Sequence, residues 1–342
     1  MRTSTFLRFG ARAVIALAAA AMLLASVAPA GPGRDGGAVL AALWAAFMVR
    51  TFWFHIGLAL LPVVAFARWS GSRRWALAGG LLLGWTLLPA AWSWRPRAGP
   101  STDGPTLCVM SMNLLVSNRD IAAVLGRIAE HDPDIVLFQE YTPETDRVLS
   151  AALAERYPHR IDAGRDDAFG QAIYSKLPFV GPPVLYPQGR EASGGGPAGF
   201  VGSGDPQIRA VVDLDGREVV IQNVHFSPPV GAEYFRDQTR MLGWLGAWAG
   251  AEVRPLIVGG DLNATPECAR VRAVLRGGLR DAHAEAGRGR GATWPDRSLL
   301  RHAPGVRIDH LLFRGVECIG SGVGRSTGSD HLPIIAKFRF GR

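Results

Sequence analysis

The first hundred residues hold ten Arg, no Lys and a single acid, Asp35, and most of what lies between those charges is apolar. A helix on the surface of a soluble domain carries a polar stripe opposite its apolar face. This segment lacks the side chains to make one. Three stretches, roughly 13–30, 51–67 and 75–92, approach the ~20 mostly apolar residues that a helix needs to cross a bilayer. Arg50 and His55 interrupt a longer apolar run over 40–67, so an interfacial helix is expected to lead into a span that starts near Thr51. Pro62 predicts a kink in that span, which membrane helices tolerate. Trp44, Trp53, Trp69, Trp75, Trp92 and Trp94 fall near the proposed ends, where amphipathic rings favour the interface.

The arginines also set an orientation. Arg2, Arg8 and Arg12 precede the first span, and Arg68, Arg73 and Arg74 fill the link between the second and third. Positive loops stay in the cytoplasm. Residues 31–40 and everything beyond the third span are therefore expected outside. Arg95 and Arg97, at that outer end, run against the rule. The expectation is a multi-pass plasma-membrane protein with an extracytoplasmic C-terminal domain. In a competing reading, the Arg-rich start, apolar core and Ala28-Pro29-Ala30 form a cleavable signal peptide. That reading leaves the rest of the chain on the same side.

Residues 1–94 are thus expected as a membrane region, 95–105 as a Pro- and Gly-rich linker, and 106–342 as one further domain. The net charge of +8 belongs to the first part: residues 101–342 carry 27 basic and 28 acidic side chains, a net of −1. That balance argues against tight duplex-DNA binding, which normally needs a basic domain. Cys108, Cys268 and Cys318 show no CxxC spacing, so neither a disulfide framework nor a zinc site is indicated. No obligate protein partner is indicated either.

Beyond Thr106, short apolar runs alternate with helical patterns. The runs are 107–112, 135–138, 172–174, 208–214, 219–224, 256–258, 308–313 and 332–338; the helical patterns are 121–130, 145–156, 234–248 and 267–275. This alternation predicts an α/β domain. The Gly-rich stretch 189–205 reads as a long surface loop, placed here near a cleft mouth. Polar residues sit at the ends of several runs: Asn113, Glu140, Asn223 with His225, Asp261 with Asn263, and Asp330 with His331. Any one of them is explained as a turn former or helix cap. Their recurrence in one domain points instead to a shared site at one set of strand ends.

At these residues the chain resembles the endonuclease/exonuclease/phosphatase superfamily of deoxyribonuclease-like phosphoesterases. The motifs occur in the family's order: Met112-Asn113, Gln139-Glu140, Asn223-Val224-His225, Gly260-Asp261-Leu262-Asn263-Ala264, Arg307-Ile308-Asp309-His310 and Ser329-Asp330-His331-Leu332-Pro333. The resemblance implies a four-layer α/β sandwich, two packed β-sheets flanked by helices, and hydrolysis of phosphate esters with Mg²⁺ or Mn²⁺. It makes Glu140 the principal metal ligand, helped by Asn113 and within reach of Asp330. His331 becomes the general base, oriented by Asp309. Asp261 positions the attacking water. Asn263 contacts the phosphoryl oxygens, and His225 is a general acid or phosphate contact. Asn223 and Arg209 join Asn263 as substrate-binding candidates.

A hard cation with oxygen ligands suits this chemistry, because it offsets the charge that repels an attacking hydroxide from a phosphodiester. The alternative is a non-catalytic, membrane-tethered ligand-binding module on the same fold. Two substrate readings stand: a phospholipid or inositol phosphate headgroup beside the bilayer, or extracellular nucleic acid. Thr293-Trp294 is read as either a site element or a core residue, Tyr174 and Ser175 as structural, and His283, His302 and His310 as ordinary.

Overall fold

The computed structural model describes residues 2–30, 37–95, 104–186, 206–297 and 299–340. Most of the expected linker and all of 189–205 lie outside the described residues. The chain divides into two compact units, largely Met1–Arg95 and largely Pro96–Arg342.

The first unit is helical: α1 (Arg2–Val27), α2 (Ala38–Thr51), α3 (Trp53–Trp69) and α4 (Arg73–Trp92). By length and composition α1 and α4 can each cross a membrane, and α2 with α3 makes a pair bent by 71°. The break falls at Phe52, between the two helices, whereas Pro62 lies inside α3. Ile15 and Met22 of α1, Leu60 and Ala67 of α3, and Leu82 of α4 form the unit's core. Gly57 lets α3 and α4 approach closely: a Cβ there would lie 2.3 Å from Thr86 Oγ1. Arg12 Nη2 donates to Ser72 Oγ at 3.3 Å, and Arg50 Nη2 donates to the Ser26 and Ala28 carbonyls at 3.0 and 3.3 Å.

The second unit runs β1 (Thr106–Asn113), α5 (Ile121–His131), β2 (Ile135–Gln139), α6 (Pro143–Leu153), β3 (His159–Ala163), β4 (Gln171–Ser175), β5 (Val184–Tyr186), β6 (Gln207–Leu214), β7 (Arg217–His225) and α7 (Ala232–Ala251). It continues β8 (Leu256–Asp261), α8 (Ala269–Arg276), β9 (Arg280–Asp281), α9 (Ala282–Ala286), β10 (Asp309–Arg314), β11 (Glu317–Val323) and β12 (Ile334–Arg339). The strands form two six-stranded sheets, ordered β11-β12-β1-β2-β4-β3 and β5-β6-β7-β8-β10-β9.

Alternation along the strands builds the layers. Leu107, Val109 and Leu137 of the first sheet meet Ile208, Ile221, Ile257 and Leu311 of the second in a core between the sheets. Met110, Met112, Val136 and Phe138 point the other way, onto Val124 and Ile128 of α5 and Leu149 of α6. With both faces covered, β2 is buried along its whole length, which is why it reads as an unbroken apolar run. Local signals fix the helix starts. Asp120 and Thr142 cap α5 and α6 by accepting from the Ala123 and Thr145 N–H groups, and Pro143 opens α6.

The topology decides where polar residues gather. β1 and β2 are parallel, and so are β7 and β8. β10 is antiparallel to β8 and starts at the same edge, with Asp309 opposite Asp261. One edge of the sandwich therefore receives the ends of β1, β2, β7 and β8 and the start of β10.

Candidate active site

Backbone geometry delivers the side chains at this edge. Gly260 has φ of 145°, and a Cβ there would lie 1.8 Å from Val224 O, so only glycine lets β8 present Asp261. Glu140 and Asn263 hold left-handed φ values of 54° and 49°. Such backbones persist where surrounding bonds over-determine them. For Asn263 those bonds are its N–H to Asp261 Oδ1 at 2.7 Å and the Gln238 Nε2 donation to its carbonyl at 2.6 Å.

Asp261 lies at the centre, 1% exposed. Its Oδ2 accepts from Asn113 Nδ2 and Asn263 Nδ2, each at 3.2 Å, and lies 3.7 Å from His225 Nε2 and 3.8 Å from His331 Nε2. The opposite nitrogen of His331, Nδ1, meets Asp309 Oδ2 at 2.9 Å. Thr293 Oγ1 accepts from the Ile308 and Asp309 N–H groups and so fixes the start of β10. Asn113 Nδ2 also donates to Glu140 Oε1 at 3.1 Å, while the Val116 N–H donates to Oε2 at 2.9 Å. Asp330 Oδ2 accepts from the Trp294 indole at 3.2 Å; its Oδ1 is buried without a hydrogen-bond partner.

The site is electrostatically unbalanced. Four carboxylates, Glu140, Asp261, Asp309 and Asp330, surround one strongly basic imidazole. Burial, then the Asp309 charge, pushes the Asp261 carboxyl far above the usual range. Burial raises Glu140 too, against the Val116 N–H and the Asn113 amide. Burial by itself would depress His331, but Asp309, Asp261 and Asp330 outweigh it and hold that imidazole up at about 10. His225 moves oppositely, down to about 4, through burial and then the neighbouring His331 charge.

Two sequence candidates lie elsewhere. Asn223 is fully buried and joins the sheets: its Nδ2 donates to the Phe138 and Ala172 carbonyls, and its Oδ1 accepts from Gln139 Nε2 at 2.7 Å. Every donor is used inside the core, so it cannot reach substrate. Arg209 alternates away from the inter-sheet core, and its guanidinium lies over the Trp248 ring of α7, 5.7 Å from the centroid. The remaining candidates, Asn113, Glu140, His225, Asp261, Asn263, Asp309, Asp330 and His331, stand together.

Other residues support this edge. Trp294 is a site-edge residue, through its bond to Asp330. Phe169 stands 5.7 Å from the His225 ring. Gln207 brackets the His225 backbone, accepting from its N–H at 3.0 Å and donating to its carbonyl at 3.1 Å. No local pattern marks Phe169 or Gln207, because both act across distant chain segments. Tyr174 is structural, its hydroxyl 2.7 Å from that of Tyr141. His310 is 1% exposed, between Asp281 and the Ala264 carbonyl.

Comparison with protein families matches residues 110–331 to the Endonuclease/Exonuclease/phosphatase family. The chain belongs to that family. Solved structures share the fold. A humanized D. rerio TDP2 aligns with a TM-score of 0.55 at 18% identity, over 68% of this chain and 99% of its own. An endonuclease/exonuclease/phosphatase from Beutenbergia cavernae gives 0.54 at 21%, over 69% and 72%. The 3′ phosphatase NExo from Neisseria gives 0.53 at 20%, over 68% and 100%. No curated protein sequence matches.

Members of the Endonuclease/Exonuclease/phosphatase family are metal-dependent phosphoesterases, and the chain is an enzyme of that class. The site residues fit a divalent cation. Asp261, Asp309 and His331 offer ligand atoms within 4.8 Å of one another, but Asp309 and His331 bond each other at 2.9 Å; Asp330 keeps a buried oxygen without a partner, and Glu140 shares the Asn113 amide with Asp261. The surplus of buried carboxylates is what a hard cation would neutralise.

Proposed function

We propose that this chain is a membrane-anchored, Mg²⁺-dependent phosphoesterase whose catalytic domain lies outside the cytoplasm. The surplus negative charge around the Asp309–His331 pair carries the reading. Glu140, with Asn113 and Asp330, would hold Mg²⁺ or Mn²⁺, which supplies charge neutralisation and polarises the phosphoryl group. Asp309 accepts from His331 Nδ1, which leaves Nε2 facing Asp261. With the carboxylate field offset by a bound cation, His331 would stand neutral, and a water held by Asp261 Oδ2 would pass its proton to Nε2 as it attacks phosphorus. The Asn263 Nδ2 amide keeps one hydrogen on the Phe226 carbonyl at 2.8 Å and turns the other, now on Asp261 Oδ2 at 3.2 Å, to the phosphoryl oxygen as charge builds there. His225, pushed down to about 4 and therefore neutral, is better suited to contact the phosphate than to act as general acid, and the leaving oxygen takes its proton from solvent.

Anchoring is supported by the two polar ties in the helical unit. Arg12 to Ser72 joins the start of α1 to the α3–α4 turn, and Arg50 to Ser26 and Ala28 joins the end of α1 to the α2–α3 break. That arrangement suits three crossings, with the Arg-rich ends on one face. It also favours retention of α1 over cleavage, since Arg50 takes partners from its final turn. A phosphatase reporter fused after Arg342 should be active only if exported; a cytoplasmic signal would overturn the sidedness.

Nucleic acid and lipid headgroups remain the two substrate readings. TDP2 complexed with single-strand DNA product and NExo bound to a product DNA hairpin favour the first; a neutral domain on a membrane anchor favours the second. The full chain in detergent should hydrolyse bis-p-nitrophenyl phosphate with Mg²⁺ or Mn²⁺. Activity that survives EDTA or Glu140→Ala would refute the mechanism. Plasmid DNA, sphingomyelin and phosphoinositides assayed side by side would name the substrate. A non-catalytic module is disfavoured, because a ligand-binding role has no need of the Asp309–His331 pair.

A further inference from the structure

Trp294 and Val306 exchange backbone hydrogen bonds, Trp294 N–H to Val306 O at 3.0 Å and Val306 N–H to Trp294 O at 2.7 Å. The residues between them form an excursion from the catalytic edge, closed at its base beside Asp330. Its described part carries Leu299 and Leu300, 87% and 57% exposed. Arg297, Arg301 and His302 flank them and are exposed as well. The excursion's single acid, Asp296, is turned inward: its N–H donates to Asp330 O at 2.7 Å and its Oδ2 is buried. A second protrusion follows His225 at the same edge and exposes Val230 by 75% and Tyr234 by 48%.

Leu299 and Leu300 lie together on a one-turn 3-10 helix, Leu299–His302, and an exposed apolar spot rimmed by basic side chains is the pattern of an interaction surface. Apolar tips flanked by arginines match a bilayer interface: the side chains enter the acyl boundary while the guanidinium groups meet lipid phosphates. The charge pattern suits this partner better than a second copy of the domain, whose net charge is −1 by composition.

We infer that the excursion between Trp294 and Val306, together with the Val230–Tyr234 protrusion, docks the catalytic edge on an anionic lipid bilayer. The inference rests on the anchored reading above. It brings the site to the headgroup layer, so phosphate esters at or near that surface become the accessible substrates.

The test uses the full chain carrying Cys108→Ser, reconstituted in phosphatidylcholine vesicles with phosphatidylglycerol. A bimane label is placed at Leu299→Cys or at Val253→Cys. Val253 is 93% exposed and precedes β8, at the sheet edge opposite the site. Acyl-chain doxyl lipid should quench about half of the emission at 299 and little at 253, because only an inserted tip lies at acyl depth. Arg297→Glu with Arg301→Glu should cut the quenching at 299 by about twofold or more, since each lost basic charge weakens attraction to anionic lipid. A chain that floats with the vesicles but leaves 299 unquenched, or quenches 253 as strongly, overturns this inference alone. A chain that fails to float overturns the anchored reading and this inference with it.

Discussion

Asp309 and His310 are neighbours on β10, and alternation sends them into two different Asp–His clusters. Asp309 meets His331 at the open edge. His310 meets Asp281 on the other face, with Asp281 also taking both of its oxygens to Arg307 Nη1 at 2.8 Å. The residue types are nearly the same, but the charge balance differs. Burial would raise Asp281, yet Arg307 and His310 outweigh it and hold its carboxyl far below the usual range. The pair is neutral overall and holds the start of β10 in place, while His310 Nε2 reaches the Ala264 carbonyl at 2.9 Å, beside Asn263. The first cluster has four carboxylates for one basic imidazole. Balanced charge marks the structural network, and unbalanced charge marks the one waiting for a cation.

The largest expected effect tests the unbalanced side. Asp309→Asn removes the acceptor that orients His331 and should lower kcat/KM by about 10²–10⁴. Because it strips a buried imidazolium of its main counter-charge, it should lower thermal stability in EDTA, and Mg²⁺ should recover much of that loss by offsetting the remaining carboxylates so that His331 can stand neutral. A loss of stability unchanged by Mg²⁺ would mean that the pair is structural after all.

On the balanced side, Arg307→Met strands a buried carboxylate and should cost about 3–5 kcal/mol in denaturant unfolding. Combining it with Asp281→Leu should restore much of that loss. A single variant as stable as the parent would erase the distinction between the two networks.

Titration sharpens the contrast further. In EDTA the His331 ring signal should titrate near pH 10, and adding Mg²⁺ should move it down as the carboxylate field is neutralised. The sign for stability follows from a raised folded-state value. In metal-free protein His331 contributes fully below about 6.5, and that contribution is lost as pH rises through about 10. An NMR titration unmoved by metal would place the cation elsewhere. The smallest effect is expected at Arg209→Ala: loss of its contact with Trp248 should cost no more than ~1 kcal/mol, and activity should stay within about twofold if the guanidinium has no substrate to hold.

The strands that sequence patterning located are the interior ones. β1, β2, β4, β6, β7, β8, β10 and β12 each announce themselves by an apolar run. The four it passed over, β3, β5, β9 and β11, are the outermost strands of the two sheets. An edge strand buries less, and β3 alternates half-buried with exposed residues while β11 is only half-buried along most of its length. Without two covered faces there is no apolar run to detect. At the site, the motif residues were legible because acids, amides and imidazoles at strand ends have few structural reasons to recur. Asn223 and Arg209 were not separable from them in the sequence: Asn223 shares a face of β7 with His225 but lies two residues deeper, among the Phe138 and Ala172 carbonyls, and Arg209 takes the opposite face of its sheet, against Trp248.

The sequence by itself determined the division into an Arg-only apolar segment and a charge-balanced α/β domain, because composition and periodicity are local properties. It also named the motif residues of the site. Only the tertiary structure decided that Asn223 joins the two sheets, that Arg209 lies against Trp248, and that Asp309 and His310 serve different networks. Those outcomes depend on which strands become neighbours and which faces meet, and chain segments more than a hundred residues apart, such as Asn113 and Asp261, must come together before their charges can act on one another.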